Sequence, residues 1–414
     1  MPSTTKERAR RAQVRPRHLR VVGREDRRVP STGRPGGARV RPMPRPAPRR
    51  DHAVTVLLLS TAALTLLGLV MVLSASSVSA YARYGSSFLF FQRQVAYAAA
   101  GSLGLWLASR MNHRVWERLC VPMLALTVAL LALVLHPSAG TVAGGSARWL
   151  VVGPVTIQPS EIAKLAVIAF GAALLARRWH RLHDLRALLV PLGPVVGLVA
   201  GLILLQPDMG TALIVVAGVF ALLFAAGARI VHLVTGAAGL GAVGFGLMYI
   251  EGYRWARFTS FLDPWADPQG SGYQTIQSII ALVGGGPFGV GLGASRQKWM
   301  YVPNAHTDFI YAILGEELGL IGAIGVLALF GLLVWAGIRI AMRAPDAFGR
   351  LLAAGITGWL GVQALVNLGA VTGLLPITGV PLPLVSFGGS SLVVTLVAIG
   401  ILVSIGRRGS RART

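Results

Sequence analysis

The stretch from Glu251 to Gly319 holds the residue types that could do chemistry in an otherwise apolar chain. Carboxylates occur at Asp263 and Asp267 and again at Glu316 and Glu317, and the basic residues are Arg254, Arg257, Arg296, Lys298 and His306. Neighbouring acids and bases can move protons and bind anions, but they are costly beside segments long enough to cross a bilayer. Their presence therefore predicts a functional site.

Two short polar motifs interrupt the apolar runs before this stretch. In Gln158–Lys164 a proline suits the first turn of a helix, and Glu161 and Lys164 fall three residues apart on one helical face. They can form an ion pair, which either stabilises the packing of helices or belongs to a site. Asp208 lies in the turn Gln206–Gly210, where by itself it would be an ordinary turn residue.

Two further polar features lie toward the C-terminus. Gln363 and Asn367 stand four residues apart in an apolar run, a spacing that suits hydrogen bonds between helices. The segment Gly373–Ser391 contains three prolines and four glycines, which exclude a regular helix through most of it. Since it carries little charge, we expect it at membrane depth, covered by protein or lining a cavity.

Composition places these motifs in a membrane. Hydrophobic residues make up 54% and charged residues 13% of the chain, and the apolar positions form runs of roughly 18–25 residues, the length that crosses a bilayer as helix. The sequence therefore predicts an all-α polytopic integral membrane protein. The net charge is +24, but sixteen of the 39 Lys and Arg residues lie in the first fifty positions and most others flank apolar runs. Membrane lipids explain this charge better than nucleic acid does.

Ten membrane-spanning helices are predicted, with a large extracytoplasmic loop, residues 251–307, between the seventh and the eighth. Most basic residues between the runs fall on the side of the N-terminus, which predicts cytoplasmic termini. The eighth run is too long for one straight crossing, so we expect either a bend before a true span that begins near Leu320 or a long helix that projects above the membrane. The predicted spans are 53–76, 94–109, 119–136, 159–176, 187–205, 210–227, 230–250, 308–341, 350–371 and 384–406.

Both ends of the chain are basic. Residues 1–50 are rich in Arg, Pro and Gly, so we expect a disordered cytoplasmic tail without a signal peptide. Such a tail is a solvated segment that enforces orientation, or it binds anionic lipid or a division partner. Residues 51–406 form the predicted membrane domain and 407–414 a basic cytoplasmic C-terminus. Cys120 is the single cysteine, so an intrachain disulfide is impossible.

Several motifs occur in a fixed order along the chain: Gln158–Glu161, Gln206–Asp208, Pro303–Ile310, Gly315–Gly319, Pro376–Pro383 and Val385–Ser391. From about residue 54 to 406 the chain resembles the SEDS family of cell-wall polymerases, which carries these motifs in the same order. Within that family Val70–Ser77 and the long basic tail are more similar to the division branch than to the elongation branch.

The resemblance implies a peptidoglycan glycosyltransferase that polymerises lipid II, an undecaprenyl-pyrophosphoryl disaccharide-pentapeptide, on the outer face of the cytoplasmic membrane, at the division septum. Asp267 matches the family's acidic residue in the large loop, and the resemblance implies that it is the general base toward the acceptor sugar hydroxyl. Asp263 is the nearby competitor. Lys164 and Asp208 match family positions of functional importance.

The pyrophosphate leaving group needs fixed cations. The candidates are Arg148, Lys164, Arg254, Arg257 and Lys298, and for Arg148 interfacial anchoring is equally open. Glu161, Asp208, His306 and Ser390 complete the predicted substrate-binding residues, whereas Glu316 and Glu317 are interpreted as holding a helix in place. No spacing of His, Cys or Asp indicates a metal ligand set, and a divalent cation at the pyrophosphate is the one cofactor left open.

Two other classes of function stay open. A ten-span bundle with internal charges is compatible with a lipid II flippase, although a transport path through the midplane does not require Asp267. A scaffold that only recruits a transpeptidase is the second. As partners the resemblance implies a class B penicillin-binding transpeptidase and division proteins of the FtsQ, FtsL and FtsB type.

Overall fold

The computed structural model describes residues 52–137, 140–143, 146–153, 155–178, 185–250, 252–299 and 301–411. The predicted tail, residues 1–50, lies outside these ranges. Within them the helices are α1 (His52–Tyr84), α2 (Leu89–Arg110), α3 (His113–Val134), α4 (Pro159–Arg177), α5 (Leu185–Leu204), α6 (Met209–Ala225), α7 (Ile230–Ile250), α8 (Gly252–Leu262), α9 (Tyr273–Gly284), α10 (Ile310–Met342), α11 (Ala347–Val371) and α12 (Gly389–Arg411).

The predicted class, a helical protein with several membrane spans, is confirmed. In the described ranges α1, α3, α4, α10, α11 and α12 contain segments long and apolar enough to cross a membrane, and α5, α6 and α7 contain shorter apolar segments. The remaining predicted span coincides with α2, whose 22 residues include Gln92, Arg93 and Gln94. Each predicted span therefore contains a helix, while the number that cross the bilayer stays a prediction.

Several boundaries differ from those predicted. The last span was placed at 384–406, but α12 begins at Gly389 because Leu384 adopts a left-handed conformation, with φ of 66°, in the irregular segment before it. The same helix continues to Arg411, so residues 407–411 of the predicted basic C-terminus are helical. The predicted loop 251–307, called the long loop below, contains α8, α9 and a 3-10 turn at Pro264–Ala266.

A small antiparallel sheet lies between α3 and α4 and was not predicted. Its strands are β1 (Thr141–Ala143), β2 (Ser146–Val152) and β3 (Val155–Ile157), in the order β1-β2-β3. In the second pair Leu150 faces Ile157, and Val152 faces Val155. Because Val, Thr and Ile favour extended backbone, these short runs form strands once the neighbouring helices hold their ends.

Helix packing places α11 at the centre of the bundle. It lies against α4, α6 and α10, while α12 packs along α2 and α1 packs along α10. Small residues permit the close approach, since a Cβ added at Gly358 would lie 2.2 Å from the Cβ of Ala221 on α6. Trp359 fills the centre and is fully buried.

The predicted bend in the eighth span is a break at Gly319, where φ is 67° and ψ is −167°. The amide of Leu320 donates to the carbonyl of Gly286 at 2.9 Å, and the amide of Val290 donates to the carbonyl of Glu316 at 3.0 Å. The backbone groups that the break releases are therefore satisfied by the glycine-rich end of the long loop.

The second half of the irregular segment 372–388 is largely buried in protein, whereas Leu374 and Leu375 are exposed. Asn367 donates its amide to the carbonyls of Asp308 and Val380, each at 2.8 Å, and Gln363 donates to the carbonyl of Pro381 at 2.9 Å. Side chains on α11 thereby replace the hydrogen bonds that a helix or water would supply.

Candidate active site

Asp267 lies in a tight turn that its own carboxylate stabilises. Oδ1 accepts from the amide of Gly270 at 3.0 Å, and Oδ2 accepts from the amide and hydroxyl of Ser271 at 2.8 and 3.2 Å. The amide of Gly272 also donates to the carbonyl of Asp267 at 3.1 Å, which ties the turn to the start of α9. The carboxylate is thus exposed yet held in one position.

These hydrogen bonds stabilise the ionised form of the Asp267 carboxyl. The amide of Ser271 is the largest cause that holds the pKa of Asp267 below its usual value, and the Ser271 hydroxyl and the Gly270 amide add to it. The carboxylate is therefore ionised at neutral pH. Its basicity is correspondingly modest, so a role as proton acceptor depends on how it is positioned against the acceptor hydroxyl. The competitor Asp263 instead caps the 3-10 turn through the amide of Trp265 at 3.1 Å.

Arg148 and Asp208 come together where the sheet meets the α5–α6 turn. Arg148 on β2 donates to the carbonyls of Gln206, at 3.0 Å, and Pro207, and its guanidinium lies 4.0 Å from the Asp208 carboxylate. Asp208 caps α6, accepting from the amide and hydroxyl of Thr211 at 3.1 and 2.8 Å. The Arg148 side chain retains 27% exposure, so part of this cation faces outward.

Gln158 joins this cluster to α12 and was missed as a site residue. Its side-chain amide donates to Asp208 at 3.4 Å and to Ser160 at 3.1 Å. Its backbone amide donates to the hydroxyl of Ser390 at 3.1 Å. Ser390 in turn donates to the carbonyl of Thr156 at 3.0 Å. The predicted residues Arg148, Asp208 and Ser390 thus belong to one polar network.

Lys164 is buried and its ammonium group is fully engaged. It forms an ion pair with Glu161 at 2.7 Å, donates to Gln363 at 3.0 Å and lies 5.2 Å from the centre of the Trp359 ring. The Lys164 and Glu161 side chains are 1% and 2% exposed. Through Gln363, which holds Pro381, this pair supports the irregular segment and is poorly placed to meet a substrate phosphate directly.

Two glutamates at the start of α10 hold the end of the long loop, as the sequence suggested. Glu316 accepts from the Ser295 hydroxyl and from the amides of Arg296 and Gln297 at 3.0 and 3.4 Å. Glu317 accepts from Ser74 on α1 at 2.5 Å and lies 3.9 Å from the Lys298 ammonium. Lys298 also donates to the carbonyl of Gly293, so this candidate cation is buried and neutralised within the protein.

The imidazole ring of His306 packs against two phenylalanine rings. It stacks on Phe90 with ring centroids 4.9 Å apart and lies against Phe387 at 5.7 Å. Burial, assisted by the charge of Arg83, lowers the pKa of His306 to about 4, so its imidazole is neutral at pH 7. A neutral ring between two phenylalanines favours packing over contact with an anion.

The structure thus gathers some of the predicted residues and separates others. Arg254 and Arg257 lie on α8, but their side chains are outside the described part of the chain. The polar residues missed by sequence reasoning include Gln94, which is buried in α2 and donates to the carbonyl of Ser386 at 3.1 Å. A glutamine in a predicted span was the signal that could have found it. Among the described residues no three His, Cys, Asp or Glu side chains form a metal-binding group, and the cation at the pyrophosphate stays a prediction.

Curated relatives match this chain over most of its length. It is 44% identical over 356 residues to stage V sporulation protein E of Bacillus subtilis (strain 168), covering 85% of this chain and 96% of that protein. It is 42% identical over 357 residues to the probable peptidoglycan glycosyltransferase FtsW of Geobacter sp. (strain M18), with coverage of 85% and 96%.

Solved structures share the fold. A chain of a peptidoglycan synthase complex that coordinates polymerization and crosslinking matches with a TM-score of 0.70 and 34% identity, over 85% of this chain and 97% of that one. The rod shape determining protein RodA of Thermus thermophilus matches with a TM-score of 0.64 and 30% identity, over 86% and 96%. The family model for FtsW, RodA and SpoVE, described as cell cycle proteins, matches residues 54–411. The chain therefore belongs to the FtsW/RodA/SpoVE family, as its motifs predicted.

Proposed function

We propose that this protein is a peptidoglycan glycosyltransferase that polymerises lipid II into glycan strands at the outer face of the cytoplasmic membrane during septal synthesis. Relatives that are more than 40% identical carry the name of that activity. The observation that carries the proposal is the Asp267 carboxylate, which is ionised, exposed and fixed by three hydrogen bonds in the long loop.

In the proposed reaction Asp267 accepts the proton of the acceptor sugar hydroxyl while that oxygen attacks the anomeric carbon of the donor. A new glycosidic C–O bond forms and the bond from the anomeric carbon to the pyrophosphate oxygen breaks. Undecaprenyl pyrophosphate leaves with the bonding electron pair. Because Asp267 is a modest base, proton transfer accompanies the attack and does not precede it.

The pyrophosphate gains charge as it leaves and is stabilised by fixed cations. Arg148 suits this role because part of its guanidinium is exposed beside the polar network. Arg254 and Arg257 stay proposed on sequence alone. Lys164 and Lys298 are buried against Glu161 and Glu317, so we assign them to positioning the irregular segment and the long loop.

The proposal includes an orientation and partners. With the long loop outside, both termini are cytoplasmic, and the site faces the compartment where glycan is made. A class B penicillin-binding transpeptidase is the proposed partner, since a structural relative belongs to a complex that coordinates polymerization and crosslinking. Division proteins of the FtsQ, FtsL and FtsB type are proposed from the resemblance to the division branch.

The test is polymerisation of lipid II by the purified full chain, alone and with its transpeptidase, read as glycan length on a gel. Asp267→Asn keeps the shape and removes the basicity, so we expect polymerisation to fall by ~10²-fold or more. Asp263→Asn is the matched control and should retain most activity. Equal, mild losses in both variants would refute the assignment of the base. Transport of lipid II without glycan formation would instead support the flippase alternative, and no activity in either assay would support a scaffold.

A further inference from the structure

A cavity of about 620 Å³ opens in the long loop, and its described lining residues include none of the substrate-binding residues considered so far. Its volume lies within the range of small-ligand sites. Two aromatic residues, Trp299 and Tyr301, present their rings at its wall and are 62% and 55% exposed. The described lining residues are Gln277, Ile280, Arg296, Gln297, Trp299 and Tyr301.

Within the described residues, polar side chains at this wall lack hydrogen-bond and ion-pair partners. Gln297 lies at the wall, but its Oε1 is buried away from the cavity surface and has no hydrogen-bond partner among the described residues. Within the same residues the side chains of Gln277 and Arg296 make no hydrogen bond or ion pair. The described lining residues include no carboxylate, so none of them neutralises the Arg296 charge. The cavity therefore offers the side-chain amide of Gln277, one cation and two aromatic residues.

The backbone of the wall is anchored from behind at Arg296 and Gln297. Glu316 accepts from Ser295 and from the amides of Arg296 and Gln297. Ser295 and Lys298 are 1% and 8% exposed, while Arg296, Gln297 and Trp299 line the cavity. Such preorganisation reduces the entropy lost when a ligand binds.

The cavity and the catalytic turn are joined by one short helix. Asp267 is tied to the start of α9 by its backbone, and Gln277 lies four residues after Tyr273, a rise of about 6 Å along that helix. A ligand that contacts Gln277 therefore lies within a few sugar lengths of the Asp267 carboxylate.

We propose that this cavity is a glycan subsite, which binds an N-acetylated, carboxylate-bearing saccharide chain next to Asp267. The rings of Trp299 and Tyr301 stack on apolar sugar faces, and the side-chain amide of Gln277 pairs with an N-acetyl group. Arg296 pairs with a carboxylate on the lactyl ether or the peptide stem. This inference rests on the proposed function and extends it, because it names the groups that hold the strand during repeated additions.

Binding can be measured without catalysis. Lipid-free glycan made of alternating N-acetylglucosamine and N-acetylmuramic acid is titrated into the purified full chain by calorimetry. Trp299→Ala should weaken the affinity by about tenfold, and Arg296→Gln should lower the preference for this glycan over an N-acetylglucosamine oligomer of equal length. Phe288→Ala is the matched control, since Phe288 is 79% exposed in the same loop and does not line the cavity. Equal affinity of the native protein and Trp299→Ala would overturn the subsite.

The activity of the same variants separates this subsite from the proposed function. Trp299→Ala should raise the KM for lipid II and shorten the products, with kcat within about twofold of the native protein, because the ring binds substrate before and during the reaction equally. Asp267→Asn should still bind the glycan while losing polymerisation.

Glycan binding that depends on Trp299 in a protein without polymerase activity would refute the proposed function but would still support the subsite. A membrane-anchoring role for Trp299 would show as lower reconstitution into vesicles with unchanged glycan affinity, and that result also overturns the subsite.

Discussion

The carboxylates of this protein have different surroundings, and these indicate which are structural and which can contact a substrate. Glu161, Glu316 and Glu317 are at most 5% exposed and each faces an ammonium, a hydroxyl or backbone amides of the protein. Buried groups of this kind hold elements together, because their charge is already compensated. Asp267 is exposed and its hydrogen-bond donors come from its own turn, so its carboxylate is free to meet a substrate.

The Lys164–Glu161 pair gives a prediction about a single side chain. Lys164→Met leaves Glu161 buried without its cation, and removal of one partner from a buried pair costs about 3–5 kcal/mol. The double substitution Glu161→Gln/Lys164→Met removes both charges and should recover most of the thermal stability in detergent. Because we assign Lys164 to positioning, polymerisation should recover together with stability.

The measurement is a melting curve and a polymerisation assay on the three variants: both single substitutions and the double. A double variant that folds as stably as the native protein but stays inactive would contradict the positioning role and favour direct contact between Lys164 and pyrophosphate. The buried geometry, in which Gln363 and Trp359 also surround the ammonium, argues for recovery.

Sequence reasoning found many residues of the candidate site but not their partners. Glu161 and Lys164 were paired correctly by their spacing on one helix, since such pairs are local. The contacts of Gln158 with Asp208 and Ser390 join positions 50 and 232 residues apart, which spacing does not reveal. The cavity beside Trp299 arises from folding of the long loop and was likewise invisible in the sequence.

At the scale of elements, the break in α10 depends on glycine. Gly319 has a positive φ, and a Cβ added there would lie 2.3 Å from the amide nitrogen of Gly289. Gly319→Ala therefore combines backbone strain with a backbone clash, and we expect a loss of about 2 kcal/mol or more in stability. Since the break anchors the long loop, polymerisation should fall as well.

Gly331→Ala is the matched control for this substitution. It lies in the same helix, is exposed, and a Cβ added there meets nothing within 4 Å. Alanine in a helix interior is more favourable than glycine by roughly 0.5–1 kcal/mol, so this variant should melt at an equal or slightly higher temperature. Similar melting temperatures for Gly319→Ala and the native protein would show that the break is not a fixed feature.

Elements were predictable where the signal was local. Long apolar runs predicted the helices, and the length of the eighth run favoured a bend over a long helix that projects above the membrane. The sheet at 141–157 was missed because three strands of three to seven residues carry little periodic signal. The start of α12 was misplaced because hydropathy continues through Leu384 and Val385, while backbone geometry excludes a helix there.

At the scale of the whole molecule, one end of the bundle gathers basic residues through specific contacts. Asp346, which caps α11, binds His113 at 3.0 Å and Arg114 at 3.2 Å at the start of α3. Ser404 near the end of α12 donates to the carbonyl of Met111, which follows α2, at 2.6 Å. The ends of four helices therefore meet at one face. A second cavity there is lined by Ser109, Arg110, Ser404, Arg407 and Arg408.

The positive-inside rule predicts that this basic face is cytoplasmic. If the basic face is cytoplasmic, the long loop lies outside, where the proposed polymerisation takes place. A reporter that is active only outside the cytoplasm should then work when fused after Gly285 and stay silent when fused after Asp346, because these positions fall on opposite sides of α10. A reporter that needs the cytoplasm should give the reverse pattern and serves as the matched control. Activity of the first reporter at Asp346 alone would invert the topology, and it would remove the access of Asp267 to an extracytoplasmic acceptor.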